Sequence, residues 1–577
     1  MRYVIFDFEV FKHDTLLGLI FIDGEDKKLF QTWDLSVMRE IYRRGVSDNI
    51  IWVGHNNFHY DNAIYEAIMA YKNPYEASKD IITGKSKGYS KVDFLSWDIM
   101  TTRRSPFSLK VTELIRGENI HTSEIDFDIN RVLTEDEKRL VEKYNQDDLE
   151  ATLYNFNMFS YKLALKLDLI EEFKLPKKAA LRATDTKLSA MVLGAKRIAG
   201  IENMRIPPVD PPNLILKNQD ILDFYHSERF RNFESEIIHI GNADLHIGSG
   251  GLHQAIPKCH YDKLLYCDVS GYYNLVMMNY DLLPRSVGDE GKRRYIDMYH
   301  QQLAMKKTNP IKRGGYKIVL LSVFGAEINE YSDFYDPQKG YLVTITGQLF
   351  LCDLLEKLED HVTIVQTNTD GIMIEPKDWS KEKEIISIIE EWERRTGFVI
   401  KKEHIYDVWQ RDVNNYVLRD EKGNIECKGE ALGNWLVDDD SYKKFSLIDA
   451  VNPPIIARGV VEYLMNRISP EETVDRFKHD LRYFQYSCKK GTFDSLEHEG
   501  KEIQSPSRAF ASLKGREPVL KVKGDKKSKI ANLPPSAIIY NGKLSEAPDL
   551  KIDWKWYINR IKERIEEFDS PMQLTLW

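Results

Sequence analysis

The sequence predicts an α+β chain built from several structural units, on three observations. The 577 residues exceed what one hydrophobic core organises and suggest roughly three to five units. Apolar runs of strand length recur at 3–9 (YVIFDFE), 50–54 (IIWVG), 264–268 (LLYCD) and 362–367 (VTIVQT). Helical patterns lie between them: Thr134 and Glu137 have capping-box spacing, and 316–325 (YKIVLLSVFG) suits a buried helix face shared by Lys317, Leu321 and Phe324.

Composition narrows the function classes. Hydrophobic content of 42% with 30% charged residues is that of an ordinary globular protein. No apolar run approaches the roughly 18 residues of a membrane span, 318–326 being among the longest, so no membrane partner is expected. The N-terminus enters a strand bearing Asp7 and Glu9 at once, which argues against a signal peptide. The five cysteines show no CxxC pairing and read as reduced cytosolic thiols. A net charge of −9 argues weakly against nucleic-acid binding, for which a basic domain is the usual footprint. Local fields differ: 301–317 holds Lys306, Lys307, Lys312, Arg313 and Lys317 with no acid, and 514–529 is strongly basic.

Strand alternation puts Asp7 and Glu9 on one side of the first run. Two carboxylates on a buried strand need a cationic partner, and a divalent metal with oxygen ligands is the natural one. The second run leads into Asn57, Tyr60 and Asp61, and on the capping-box helix Tyr144 and Asp148 stand one turn apart. In this order, Asp7/Glu9, Asn57-x-x-Tyr60-Asp61 and Tyr144-x-x-x-Asp148 resemble the three motifs of DEDDy exonucleases, whose fold is RNase H-like. Lys143 occupies the position where the histidine variant would carry His, so the tyrosine variant is the match. The resemblance implies 3′→5′ phosphodiester hydrolysis, with Asp7, Glu9, Asp61 and Asp148 holding two Mg²⁺ or Mn²⁺ ions and Tyr144 orienting the water. It also implies contacts of Asn57, Ser108 and Leu109 with single-stranded DNA.

Further on, 362–367 and 371–375 flank Asn368-Thr369-Asp370-Gly371, a hairpin signal. Asp268-x-x-x-x-Tyr273, Lys317-x-x-x-x-Ser322-x-Phe324-Gly325 and Asn368-Thr369-Asp370 resemble motifs A, B and C of family B DNA polymerases. With the exonuclease motifs, the likeness runs over roughly residues 1–430 in the family's order. It implies an antiparallel palm, helical fingers and template-directed nucleotidyl transfer from dNTPs. Asp268 and Asp370, with the carbonyl of Val269, would hold two Mg²⁺ ions, and Lys317 would neutralise the pyrophosphate, helped by Arg294 or Lys307. Tyr273 would exclude a 2′-hydroxyl, with Ser322 and Phe324 also near the nucleotide. Asn368, Tyr416 and Lys428 are expected to face DNA.

The pattern departs from the family in three places. Asn368 stands where motif C has its first aspartate, Leu321 where motif B has asparagine, and Gly248-Ser249-Gly250-Gly251 lacks the tyrosine of the Tyr-x-Gly-Gly segment. Asn414 likewise replaces the lysine before Tyr416. The short intervals from Asp268 to Lys317 and from Gly325 to Asp370 leave no room for the insertions of the protein-primed branch, so a nucleic-acid primer and poor unaided strand displacement are expected.

The segments 505–511 and 533–535 read as loops, and a helical pattern ends near Phe568. The tail Gln573-Leu574-Thr575-Leu576-Trp577 resembles the peptide by which bacterial replication proteins bind the β sliding clamp, two leucines and a tryptophan suiting a partner's pocket. That implies a bacterial cytoplasm and a phage or other mobile element. The expected organisation is an exonuclease domain at 1–175, a connector at 176–245, and a palm at 246–284 with 327–400. Fingers are expected at 285–326, a thumb at 401–569 and the clamp-binding tail at 570–577. A monomer acting on primer-template DNA is expected. The alternatives are an exonuclease on a decayed polymerase scaffold, marked by Asn368 and Leu321, and a non-catalytic clamp-bound DNA-binding factor.

Overall fold

The computed structural model describes residues 2–24, 26–102, 108–120, 125–201, 206–207, 209–429 and 452–568. The chain is a mixed α+β protein of several units, with helices and four sheets among the described residues. No helix among these residues is long and apolar enough to cross a membrane.

The N-terminal unit is a five-stranded sheet. Strands Tyr3–Val10, Thr15–Asp23 and Asp26–Thr32 form an antiparallel meander, and Ile51–Gly54 and Leu95–Asp98 continue it in parallel on the other side. Alternation sorts the first strand. Val4, Phe6, Phe8 and Val10 enter an aromatic core with Trp52, Tyr65 and Phe94, leaving Ile5, Asp7 and Glu9 for the opposite face. The 38-residue helix Glu135–Glu172 runs along that face and is opened by both hydrogen bonds of the Thr134/Glu137 capping box, a cap of about 1 kcal/mol. The helix can approach because Gly18, paired with Asp7, has no Cβ. One placed there would stand 1.8 Å from Asn145 Oδ1.

The central sheet is antiparallel and nine-stranded. From one edge it runs Ile425–Lys428, Asn415–Arg419, Ile400–Asp412, Cys259–Val269, Gly371–Pro376, Val362–Asn368, His253–Ala255, Ala243–Ile247, Glu236–Ile240. The expected boundary between palm and thumb at 400/401 therefore falls at the start of a strand that pairs with Cys259–Val269 along its length. Likewise, the end of the expected connector supplies the strand Glu236–Ile240, and its boundary at 245/246 cuts the strand Ala243–Ile247. The buried helix Pro337–Leu358 packs into the same core, which also takes in Glu382–Thr396 through Ile385, Ile389 and Trp392.

Residues 288–324 form a helical hairpin, Gly288–Ala304 and Pro310–Phe324. The face of the second helix differs from expectation. Tyr316, Val319, Leu320 and Val323 are buried, whereas Lys317, Leu321 and Phe324 share the opposite side, with Leu321 67% exposed. Gly314 and Gly315 decide this, since their missing Cβ atoms let the helix lie against Leu165 and Leu169 of the long helix.

The C-terminal unit holds helices Pro454–Asn466, Pro470–Phe477 and Trp554–Glu566 with two small sheets. The segment expected as a loop at 505–511 contains Ser507–Ala511, a strand buried at every residue. Arg508 lies on it with no exposed surface. It donates to Gln485 Oε1 at 2.8 Å, to the Gly542 carbonyl at 2.7 Å, and to the Leu114 and Glu118 carbonyls at 3.1 and 2.9 Å. The tail residues Gln573, Leu574, Leu576 and Trp577 lie outside the described residues.

Candidate active sites

The first candidate site lies between the N-terminal sheet and the long helix. Asp7, Glu9 and Asp148 each offer an oxygen within 4.8 Å of the others, the one such group of three among the described residues. Asn145, one helical turn before Asp148, donates to Asp7 Oδ2 at 2.9 Å and is itself fixed by Gln31 Nε2 at 3.1 Å. Asp61 joins electrostatically while accepting a backbone bond from Phe8 at 3.1 Å through Oδ1.

The charges in this group are under strain. Burial first, then the neighbouring carboxylates, push Asp7 and Glu9 well above the usual carboxylate range. Burial pushes Asp61 up to about 7, against the amide bond from Phe8. Crowded oxygen donors that resist ionisation beside one another fit a divalent cation, which relieves both penalties. Part of that role falls here to Lys110, whose Nζ donates to Asp148 Oδ1 at 2.6 Å and Glu113 Oε1 at 3.0 Å. The same ammonium stands 4.3 Å from the centroid of the Tyr144 ring. Tyr144 thus faces the group, and burial, then Asp148, raises its hydroxyl pKa.

Asn57, expected to contact single-stranded DNA, turns inward. It is wholly buried, donating to Ser96 Oγ at 2.8 Å and Asn62 Oδ1 at 3.3 Å. Its place in the motif is architectural: it braces the turn that delivers Asp61. Asp98 does the same by accepting from the amides of Asn56, Phe58 and Met100 at 2.9–3.1 Å. Ser108 is the exposed N-cap of helix Leu109–Arg116 and Leu109 is half-buried beside it. Asn145, Lys110 and Glu113 carry site roles that the motif comparison missed. For Asn145 a signal existed, since it lies three residues before Asp148 on the same helical face.

The second candidate site sits on the central sheet. Asp268, next to last in the strand Cys259–Val269, pairs with Gly371, so Asp370 on the turn just before Gly371 stands beside it. The Val269 amide donates to the Asp370 carbonyl at 2.9 Å. Tyr266 Oη lies 3.4 Å from Asp268 Oδ1. Burial raises both carboxyls, and Asp268 adds to the rise at Asp370. Asn368 pairs with Gly371 across the turn and donates through Nδ2 to the Val413 carbonyl at 3.2 Å. Its amide is thus tied to the turn between Ile400–Asp412 and Asn415–Arg419. His253 pairs with it in the adjacent strand, and the Thr369 amide donates to Leu252 at 2.9 Å. Gln348 pins the 248–251 loop through the Gly248 and Gly250 carbonyls at 2.7 and 2.6 Å.

Tyr273 opens the helix Tyr272–Asn279 and stacks on Phe324 of the hairpin, 4.1 Å between centroids. Burial, then Asp370, raises its pKa. Burial and then Arg313 and Lys306 lower that of Lys317, so these three cations form one field. Ser322 is half-buried on the same helix and Lys307 is exposed in the turn before it. Arg294 does not join them. It is bonded to the Val192 carbonyl and to Glu290 at 2.8 Å, over the Phe173 ring, and so is committed to packing. Tyr416 and Lys428 are paired across neighbouring strands, with the ammonium 6.0 Å from the ring centroid. Burial pushes Tyr416 up to about 12, with Glu426, Asp268 and Asp370 contributing.

No family model matches the sequence, and no curated protein matches it. Among solved structures, the chain is similar to the family B DNA polymerase from the hyperthermophilic archaeon Pyrobaculum calidifontis. Identity is 14% and the TM-score 0.45, over 99% of this chain and 78% of that one.

Proposed function

We propose that this chain is a family B-type DNA polymerase with its own 3′→5′ proofreading exonuclease. The observation that carries the reading is the presence of two carboxylate centres on two separate sheets. One is the Asp7, Glu9 and Asp148 group, with Asp61 beside it, at the N-terminal five-stranded sheet, the other the Asp268 and Asp370 pair on the nine-stranded sheet. Mg²⁺ or Mn²⁺ held by these residues supplies nucleophile activation and charge neutralisation at phosphorus.

In excision, Asn145 orients Asp7, and Tyr144 positions water at the scissile phosphate. In synthesis, Lys317 with Lys306 and Arg313 draws the triphosphate to the hairpin and offsets charge as pyrophosphate leaves. Tyr273, braced by Phe324, lies against the sugar and rejects a 2′-hydroxyl. Tyr416 and Lys428 face the primer end, and the exposed hairpin Leu520–Lys523 with Lys526–Lys529 follows the duplex backbone without reading sequence. The C-terminal Gln573, Leu574, Leu576 and Trp577 dock on a bacterial β sliding clamp, placing the enzyme in phage DNA replication in a bacterial cytoplasm.

A second reading, an exonuclease alone, is favoured by one observation: the Asn368 amide is spent on Val413, so the central centre keeps two carboxylates. A labelled primer-template with Mg²⁺ and four dNTPs separates the two. The polymerase reading expects extension to the template end. Shortening alone at every dNTP concentration leaves the exonuclease.

A further inference from the structure

The ammonium of Lys110 occupies the excision centre in a way that its carboxylates do not require of a resident residue. It lies 2.6 Å from Asp148 Oδ1, on a side chain 16% exposed, and Asp148 is one of the three grouped donors. Its second partner, Glu113, sits three residues on along the same helix at 3.0 Å. Glu113 is 3% exposed and no donor reaches its Oε2, while burial, with Asp148 beside it, pushes its carboxyl up to about 9 against the pull of Lys110. A buried carboxylate with an unpaired oxygen is costly, and no step of excision uses it. The helix itself is fixed, because buried Arg508 holds the carbonyls of Leu114 and of Glu118 beyond its end. Rotation of the Lys110 side chain alone therefore moves the ammonium between the two acids.

We propose that Lys110 is a tethered counter-ion that competes with the divalent cation for Asp148, and that Glu113 receives its ammonium when the cation binds. This rests on reading Asp7, Glu9 and Asp148 as a metal centre. At rest the lysine offsets the crowded carboxylates, so the site stays folded without metal. On loading, the ammonium moves fully to Glu113 and satisfies the open oxygen there. Among the described residues the synthetic centre has no such device: Lys401 and Lys428 act on Asp268 and Asp370 without an ion pair to either, and Lys401 is paired with Glu403. Excision thus needs a higher divalent-cation concentration than synthesis does, and the lysine sets that threshold.

The test is Mn²⁺ binding to the full chain, read by electron paramagnetic resonance, with Mg²⁺ dependence of 3′-digestion as a second readout. Lys110→Met removes the competitor and should tighten the Asp148-dependent Mn²⁺ site about five- to tenfold, the size expected for losing a half-buried pair. Half-saturating Mg²⁺ for digestion should fall in parallel, even if the maximal rate drops. Lys110→Arg keeps a cation and should leave the affinity weak. Glu113→Gln removes the receiving acid and should weaken the site. Asp148→Asn identifies the site by abolishing it. If Asp148→Asn leaves every Mn²⁺ site intact, the metal-centre reading itself fails. If it abolishes one but Lys110→Met leaves that site unchanged or weaker, the counter-ion proposal alone is overturned.

Discussion

Tyr273 and Phe324 stack at 4.1 Å with an interplanar angle of 26°, joining the helix that follows the strand Cys259–Val269 to the last turn of the hairpin. The contact restrains a ring that would otherwise swing, and a steric filter works only if it cannot yield. Tyr273→Ala should raise ribonucleotide incorporation by at least about tenfold relative to deoxyribonucleotide. Phe324→Ala should raise it less, through a looser Tyr273. Single-nucleotide incorporation with paired dNTP and rNTP measures this, and an unchanged ratio in Tyr273→Ala removes the filter.

The crowded carboxylates make metal-free stability depend on pH. Asp61 is raised to about 7, and Asp7 and Glu9 move the same way. A carboxyl with a raised folded value binds protons more tightly when folded. Stability is therefore fully present below the unfolded value, about 4, and is lost as pH climbs through about 7. In chelator, thermal melts of the wild type should fall between about pH 4 and 7 relative to Asp61→Asn. Added Mg²⁺ should restore more at pH 8 than at pH 5, since metal and protons compete. A wild-type-minus-variant difference that is flat or rises with pH would count against the cluster.

Arg508 ties the C-terminal unit to the helix that carries Lys110. Replacing it by Met strands the Leu114, Glu118 and Gly542 carbonyls and should cost about 3 kcal/mol. Denaturant melts measure the loss. Excision should suffer before synthesis does, because the helix Leu109–Arg116 borders the excision centre. A loss under about 0.5 kcal/mol, within the range of ordinary surface substitutions, would make the contact incidental.

Much of the N-terminal carboxylate group is legible because it obeys local periodicity. Period 2 put Asp7 with Glu9, and one helical turn joined Tyr144 to Asp148. Lys110 and Glu113 escaped because their partner Asp148 lies on another helix, and no local spacing encodes a crossing of two helices. Asn57 is the opposite case: the motif names its position, but the spacing does not reveal that its side chain turns inward to Ser96. The hairpin helix carries apolar residues on both sides, so periodicity alone did not choose between them. The close approach allowed by Gly314 and Gly315 did. The Ser507–Ala511 strand is hidden by the proline just before it and the arginine within it, residues that rarely mark a buried strand. Arg508 is tolerated there because acceptors from three segments meet it.

The tail carries its own prediction. Deleting 573–577 should leave distributive extension intact and abolish stimulation by a bacterial β clamp on long primed templates. Undiminished stimulation would refute the tail motif.

The most direct test of two independent centres follows one 5′-labelled primer-template with Mg²⁺ and dNTPs across three proteins. Wild type should lengthen the primer and, without dNTPs, shorten it. Asp7→Ala with Glu9→Ala should lengthen it and never shorten it, while Asp370→Ala should only shorten it. Loss of both activities from either variant would contradict the account, because the centres would then not be separate.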